Sequence, residues 1–216
     1  MDTHTAPSLF EGVWDVTHAT LPNGEFAYTG RITIQRSATT FHLDWDISAG
    51  RYVGIGLSLN DHLFVSCGEQ YAGLGIALYT HHPESLPTVR WSTPELAGAV
   101  GTGTFTTPWS GTFEGDHQLV QYLPNGNVYA EWTLSIRKVD AIYELSWRKR
   151  DTIHFKGIGL DMPQGLAASW YPDASQLAFL DYGTDPHNPQ QLHAVWALGG
   201  YTTLGTETLT RRSMLY

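Results

Sequence analysis

A chain that states one pattern twice is confined to folds that two equivalent units can build, and this chain repeats itself along its length. Leu21-Pro22-Asn23-Gly24 returns as Leu123-Pro124-Asn125-Gly126, and Phe41-x-Leu43-x-Trp45 as Tyr143-x-Leu145-x-Trp147, both 102 residues later. Tyr52-x-Gly54-Ile55-Gly56-Leu57 returns as Phe155-x-Gly157-Ile158-Gly159-Leu160, and Leu63, Ser66 and Tyr79 as Leu166, Ser169 and Tyr182, at an offset of 103. Trp91 matches Trp196, and Gly101-Thr102-x-Thr104 matches Gly205-Thr206-x-Thr208. So small a drift identifies one unit, duplicated, with short loop changes. Positions kept in both copies read as scaffold, and positions that differ as the places to look for function.

Within each copy the apolar residues recur with a period of two, the signature of strands with one buried face. Phe41, Leu43 and Trp45 alternate with His42, Asp44 and Asp46, and the second copy keeps the apolar face while rewriting the polar one. Eight short strands are expected in copy one, near 10–18, 26–35, 40–47, 52–59, 62–67, 73–80, 88–92 and 100–106. Eight more are expected in copy two, near 112–121, 128–137, 142–149, 153–161, 166–171, 176–182, 192–197 and 204–211. The nearest thing to a helix, 177–182, aligns with the strand-like 74–79. Asn23-Gly24 and Asn125-Gly126 mark tight turns, since both residue types tolerate positive φ. The expectation is an all-β protein of two tandem antiparallel barrels, residues 1–108 and 109–216, packed together across a short boundary at Thr107-Pro108-Trp109-Ser110-Gly111. Closure removes exposed strand edges, and eight strands enclose side chains plus one small ligand.

Charge and cysteine content narrow the partners. A formal net charge of −9 opposes nucleic acid and anionic membranes, and the basic run Arg148-Lys149-Arg150 reads as a solvated strand end. A single cysteine, Cys67, forms no internal disulfide. The N-terminal residues lack the basic and apolar regions of a secretory signal, and no apolar run reaches the ~20 residues of a membrane helix. A cytoplasmic protein is expected, whose partner is a hydrophobic or aromatic small molecule, with a homodimer left open.

Gly12-Val13-Trp14, at the opening of the first strand, resembles the Gly-x-Trp that begins lipocalin and avidin barrels, the calycin type. That resemblance implies a Trp plugging the barrel floor beneath an Arg of the last strand, here Arg211 or Arg212. Copy two reads Gly115-Asp116-His117 at this point, without the Trp. The resemblance is one of architecture and carries no function by itself.

Shared hydroxyls on otherwise apolar strands, Ser66/Ser169, Tyr79/Tyr182 and Thr102/Thr206, suit a pocket that orients a ligand without burying charge; satisfied core hydroxyls give the same pattern. The recurrent indoles Trp45/Trp147 and Trp91/Trp196, with Trp14, serve as pocket wall or as core. Trp170 replaces Cys67, so the second barrel is expected to be plugged and the first open. Gly54-Ile55-Gly56 and its repeat lack the spacing and the helix of a phosphate loop, and mark a close approach to the strand. His42, Asp44 and Asp46 share one strand face, which reads as solvated rather than metal-binding. Asp181 is the candidate buried carboxylate for proton transfer, Tyr79 a second catalytic candidate, and Cys67 a nucleophile or a small apolar filler. No metal and no cofactor signature appears. These residues suit a cofactor-independent enzyme of isomerase, cyclase or lyase type acting on a hydrophobic small molecule, of the kind found in natural-product pathways; a ligand carrier using the same cavity and a protein-interaction module are the alternatives.

Overall fold

All sixteen expected strands form. The computed structural model describes residues 9–172 and 177–213; the first residue of the strand expected over 176–182, and the N-terminal residues read for a secretory signal, lie outside them. Copy one supplies β1 (Gly12–Thr20), β2 (Gly30–Ser37), β3 (Thr40–Ile47), β4 (Gly50–Leu59), β5 (His62–Gly68), β6 (Gly75–Thr80), β7 (Thr88–Ser92) and β8 (Gly101–Phe105). Copy two supplies β9 (Gly115–Tyr122), β10 (Val128–Val139), β11 (Ile142–Lys149), β12 (Thr152–Met162), β13 (Gly165–Tyr171), β14 (Ala178–Asp185), β15 (Asn188–Leu198) and β16 (Gly205–Arg211). The segment near 177 is strand, as its alignment with the first copy requires. One short 3-10 turn, Pro94–Leu96, is the helical element among the described residues.

The strands close into two eight-stranded antiparallel barrels, but the repeat boundary is not the barrel boundary. The first barrel runs β1-β16-β15-β14-β5-β4-β3-β2 and the second β10-β11-β12-β13-β6-β7-β8-β9. Each barrel therefore takes five strands from one copy and three from the other. The division at 108/109 is corrected accordingly: residues 75–171 form the second barrel without interruption, inserted between β5 and β14 of the first. The physical reason lies in the last strands of each half. β6 pairs with β13 and β14 with β5, so each three-strand segment completes the other copy's sheet, and every backbone edge is still satisfied.

The exchange buries β5, β6 and β13 on both faces along most of their length. On β5, Leu63, Val65 and Cys67 point into the first barrel, while Phe64 joins a separate apolar layer between the barrels. That layer also holds Ile55, Leu57, Ile76, Leu78, Ile158, Leu160 and Phe179, and it forms where β4, β5 and β14 meet β6, β12 and β13. The repeated Leu-Pro-Asn-Gly turns are three-residue loops: Gly24 and Gly126 have φ of 84°, and each amide donates to the leucine carbonyl three residues back at 2.8 Å. Asn23 and Asn125 are not among the positive-φ residues, so the glycine alone supplies the left-handed step that follows the turn. The Gly54 and Gly157 approaches are made by an indole and the neighbouring strand together: a methyl at Gly54 would come within 2.8 Å of Trp45 and 2.9 Å of the Ser66 carbonyl, and at Gly157 within 2.7 Å of Trp147 and closer still to the Ser169 carbonyl.

Candidate functional site

The floor of the first barrel is sealed. Trp14 is fully buried and its indole N–H donates to the Phe10 carbonyl at 2.8 Å. The Arg211 guanidinium lies over the ring, 4.2 Å from its centre, and donates to the carbonyls of Leu9 and Glu11. In the second barrel His117 stands where Trp14 does, and its Nε2 meets the Phe113 carbonyl, again four residues back, at 2.8 Å. Its ring stacks on Phe105 at 4.7 Å.

Near the opposite end of the first barrel lies a buried acid that the sequence reading passed over. On β16 the residues Gly205, Glu207 and Leu209 face inward, whereas Thr206 is exposed. Glu207 is 1% exposed. Register places it opposite Ala19 of β1 and Ala194 of β15, two small residues that leave room for the carboxyl. The Tyr182 hydroxyl donates to its Oε2 at 3.1 Å and the Tyr28 hydroxyl to the same oxygen at 3.3 Å. Tyr28 is brought there by the chain after the first turn, where the Ala27 amide donates to the Ala19 carbonyl at 2.9 Å. Oε1 has no hydrogen-bond partner among the described residues.

The electrostatics follow from this burial. Loss of water pushes the Glu207 carboxyl up to about 7, against the pull of the two phenol hydrogen bonds. The same burial, and then Glu207 itself, push Tyr28, Tyr182 and the Cys67 thiol upward. Trp45 and Trp196 stand in the same apolar cluster, Tyr52 packs against it, and the Tyr28 and Trp196 rings lie 6.3 Å apart. The result is a buried carboxyl joined to a phenol pair among packed aromatic side chains, with a proton it releases near neutral pH.

The second barrel lacks this arrangement. At the position of Glu207 it has Gly103, which pairs with Gln121; Tyr28 becomes Ala130, Tyr52 becomes Phe155, and Cys67 becomes Trp170. Trp132 donates to the Gln121 carbonyl oxygen at 2.8 Å. Between Gln121, Tyr129, Trp132, Trp147, Phe155 and Trp170 the free space is about 10 Å³, about that of a single water. Trp170 has this space because Gly75 faces it across the ladder, where the first barrel pairs Cys67 with Ala178.

The residues singled out in the sequence are thus scattered. Trp14, Trp45, Cys67, Tyr182 and Trp196 belong to the first barrel, and Tyr79, Trp91 and Trp147 to the second. Tyr79 is fully buried in that packed interior; burial raises its pKa, with the Trp147 indole opposing. Ser66 and Ser169 face neither barrel interior: both are fully buried on the interbarrel faces of β5 and β13, their hydroxyls without partners among the described residues. Thr102 and Thr206 are exposed, one residue out of phase with the inward positions. Asp181 lies outside the barrel, where its Oδ1 meets His62 Nδ1 at 2.8 Å; burial raises its pKa and His62 opposes the rise. Cys67 faces the same barrel interior as Glu207, and burial pushes its thiol upward, away from the thiolate that nucleophilic attack requires. Among the described residues no three His, Cys, Asp or Glu side chains gather to hold a metal ion. Glu207 was legible as the x in the repeated Gly-Thr-x-Thr, glycine in one copy and glutamate in the other.

No family model matches the chain, and no curated protein matches it in sequence. A porin-like protein from Bacteroides uniformis is similar in structure at 13% identity, with 93% of this chain and 95% of that chain covered. The TM-score is 0.24, too low to support an argument.

Proposed function

We propose that the first barrel is a small-molecule site anchored by Glu207, and that the protein is a cofactor-independent enzyme of isomerase, cyclase or lyase type acting on an apolar molecule. The observation that carries this reading is the buried carboxyl with one oxygen held by two phenols and the other unpartnered. Such a group can give a proton to a bound molecule from Oε1 and recover one later, while the aromatic walls hold the reacting conformation. Trp14 beneath Arg211 supports a calycin-type ancestry, since it is similar to the floor of lipocalin and avidin barrels. The outward residues of β1 to β3 include Asp15, Arg31, Asp44 and Asp46, the reverse of a lipid-facing barrel, which supports work in water.

The test is mass spectrometry of the purified protein under non-denaturing conditions, repeated on Glu207→Leu. A retained apolar molecule, lost from the variant and converted by the wild-type protein, is the expected result. Replacement of Glu207 by Gln is then expected to lower turnover by about 10² to 10⁴. A molecule retained but never converted would make the protein a carrier. Retention unchanged in Glu207→Leu would remove the site from this barrel.

A further inference from the structure

Resting on that reading of Glu207, we propose that the ligand is a neutral, largely apolar molecule held through a carbonyl oxygen, which accepts a hydrogen bond from Glu207 Oε1. Both phenol hydroxyls donate to Oε2. In the protonated acid the hydrogen therefore sits on Oε1, the oxygen without a partner among the described residues, and a buried donor of this kind calls for an acceptor. Two donors on Oε2 also draw charge toward that oxygen and strengthen Oε1–H as a donor, as linked hydrogen bonds do.

The groups that face Glu207 are Tyr28 from the β1–β2 connection, Tyr182 from β14 and Cys67 from β5, with Tyr52 of β4 beside Tyr28. None is a cation, so an anionic ligand would be desolvated without a counter-charge. A carbonyl needs none. If negative charge grows on its oxygen during reaction, a carboxyl that keeps its proton up to about pH 7 and is backed by phenols is a suitable partner, since a protonated acid serves as a hydrogen-bond donor. The second barrel offers the internal comparison: it keeps Tyr79, Trp91 and Trp147 but has Ala130 for Tyr28 and Gly103 in place of the donor.

The experiment uses three probes with one phenyl ring and different head groups: acetophenone, 1-phenylethylamine and benzoate, titrated calorimetrically into the full chain at pH 6 and 8.5. Acetophenone is expected to bind at pH 6 and to weaken by about tenfold or more at pH 8.5, as Glu207 loses its proton. Glu207→Gln, whose amide still donates, should bind acetophenone without that pH dependence; Glu207→Leu should not bind it, with circular dichroism confirming the fold. Preference for the amine, rising with pH, would overturn the carbonyl assignment and leave the barrel site standing. Preference for benzoate, or acetophenone binding unaffected by Glu207→Leu, would overturn it as well. Binding of none of the three would overturn it together with the reading of the first barrel as a small-molecule site.

Discussion

Replacing Glu207 by Gln should alter how stability depends on pH, and the size of the change follows from its burial. In the folded protein the carboxyl titrates at about 7, against an ordinary 4.5. The folded state therefore holds a proton that the unfolded chain releases between those values. Protonation favours folding here, so the native state loses stability as pH rises from about 4.5, and the loss levels off above about 7. At about 1.4 kcal/mol per pH unit, the total is about 3.5 kcal/mol, of which about 2 to 3 kcal/mol falls between pH 5 and 8. For a chain of this size that corresponds to about 5 to 10 °C in Tm. The assay is urea denaturation of the wild-type protein and the Gln variant at pH 5, 6, 7 and 8, taking the difference at each pH so that the remaining titratable groups cancel. The wild-type protein should lose ground to the variant steadily up to pH 7 and then run parallel to it. Parallel curves across the whole range would refute the argument that Glu207 is buried and neutral.

Other consequences are open to measurement. Trp14→Ala should cost about 3 to 5 kcal/mol in a denaturant titration, and Arg211→Ala about 1 to 3 kcal/mol, since it removes the cation over the ring and two carbonyl contacts. Ser66→Ala and Ser169→Ala should each raise stability by about 1 kcal/mol, because each removes a buried hydroxyl without a partner; a loss of stability would mean that the hydroxyls are satisfied. Trp170→Cys should destabilise by about 3 to 5 kcal/mol, and adding Gly75→Ala should recover part of this, a positive coupling that a double-mutant cycle would detect.

The fold was legible because strand alternation and duplication are both local properties of the chain. Five residues, such as 41 to 45 against 143 to 147, are enough to set a strand and its inward face. Pairing partners are not local. Nothing in Leu63-Phe64-Val65 says whether its neighbour is the next strand or one 100 residues away; the clue was its unbroken apolar run, which signals burial on both faces. The serines misled for the same reason, since a hydroxyl kept in both copies can serve the layer between barrels as readily as a chamber. The threonines misled by phase, and a shift of one residue exchanges the inside of a strand for the outside. Glu207 sat between two of them. Its role depends on Tyr28, 179 residues away, a distance that only closure of the ring removes.

The exchange of strands also decides where this chain can be cut. β1 and β16 are hydrogen-bonded neighbours, so the two ends of the described chain belong to the same seam. Linking the ends and opening the backbone between β13 and β14 would yield a permutant whose barrels follow one another like beads on a string. Cleavage at the repeat boundary does the opposite. It severs both rings at once and leaves two fragments, each carrying three strands cut for the other, so that recovery of structure requires the pair to recombine by fragment complementation.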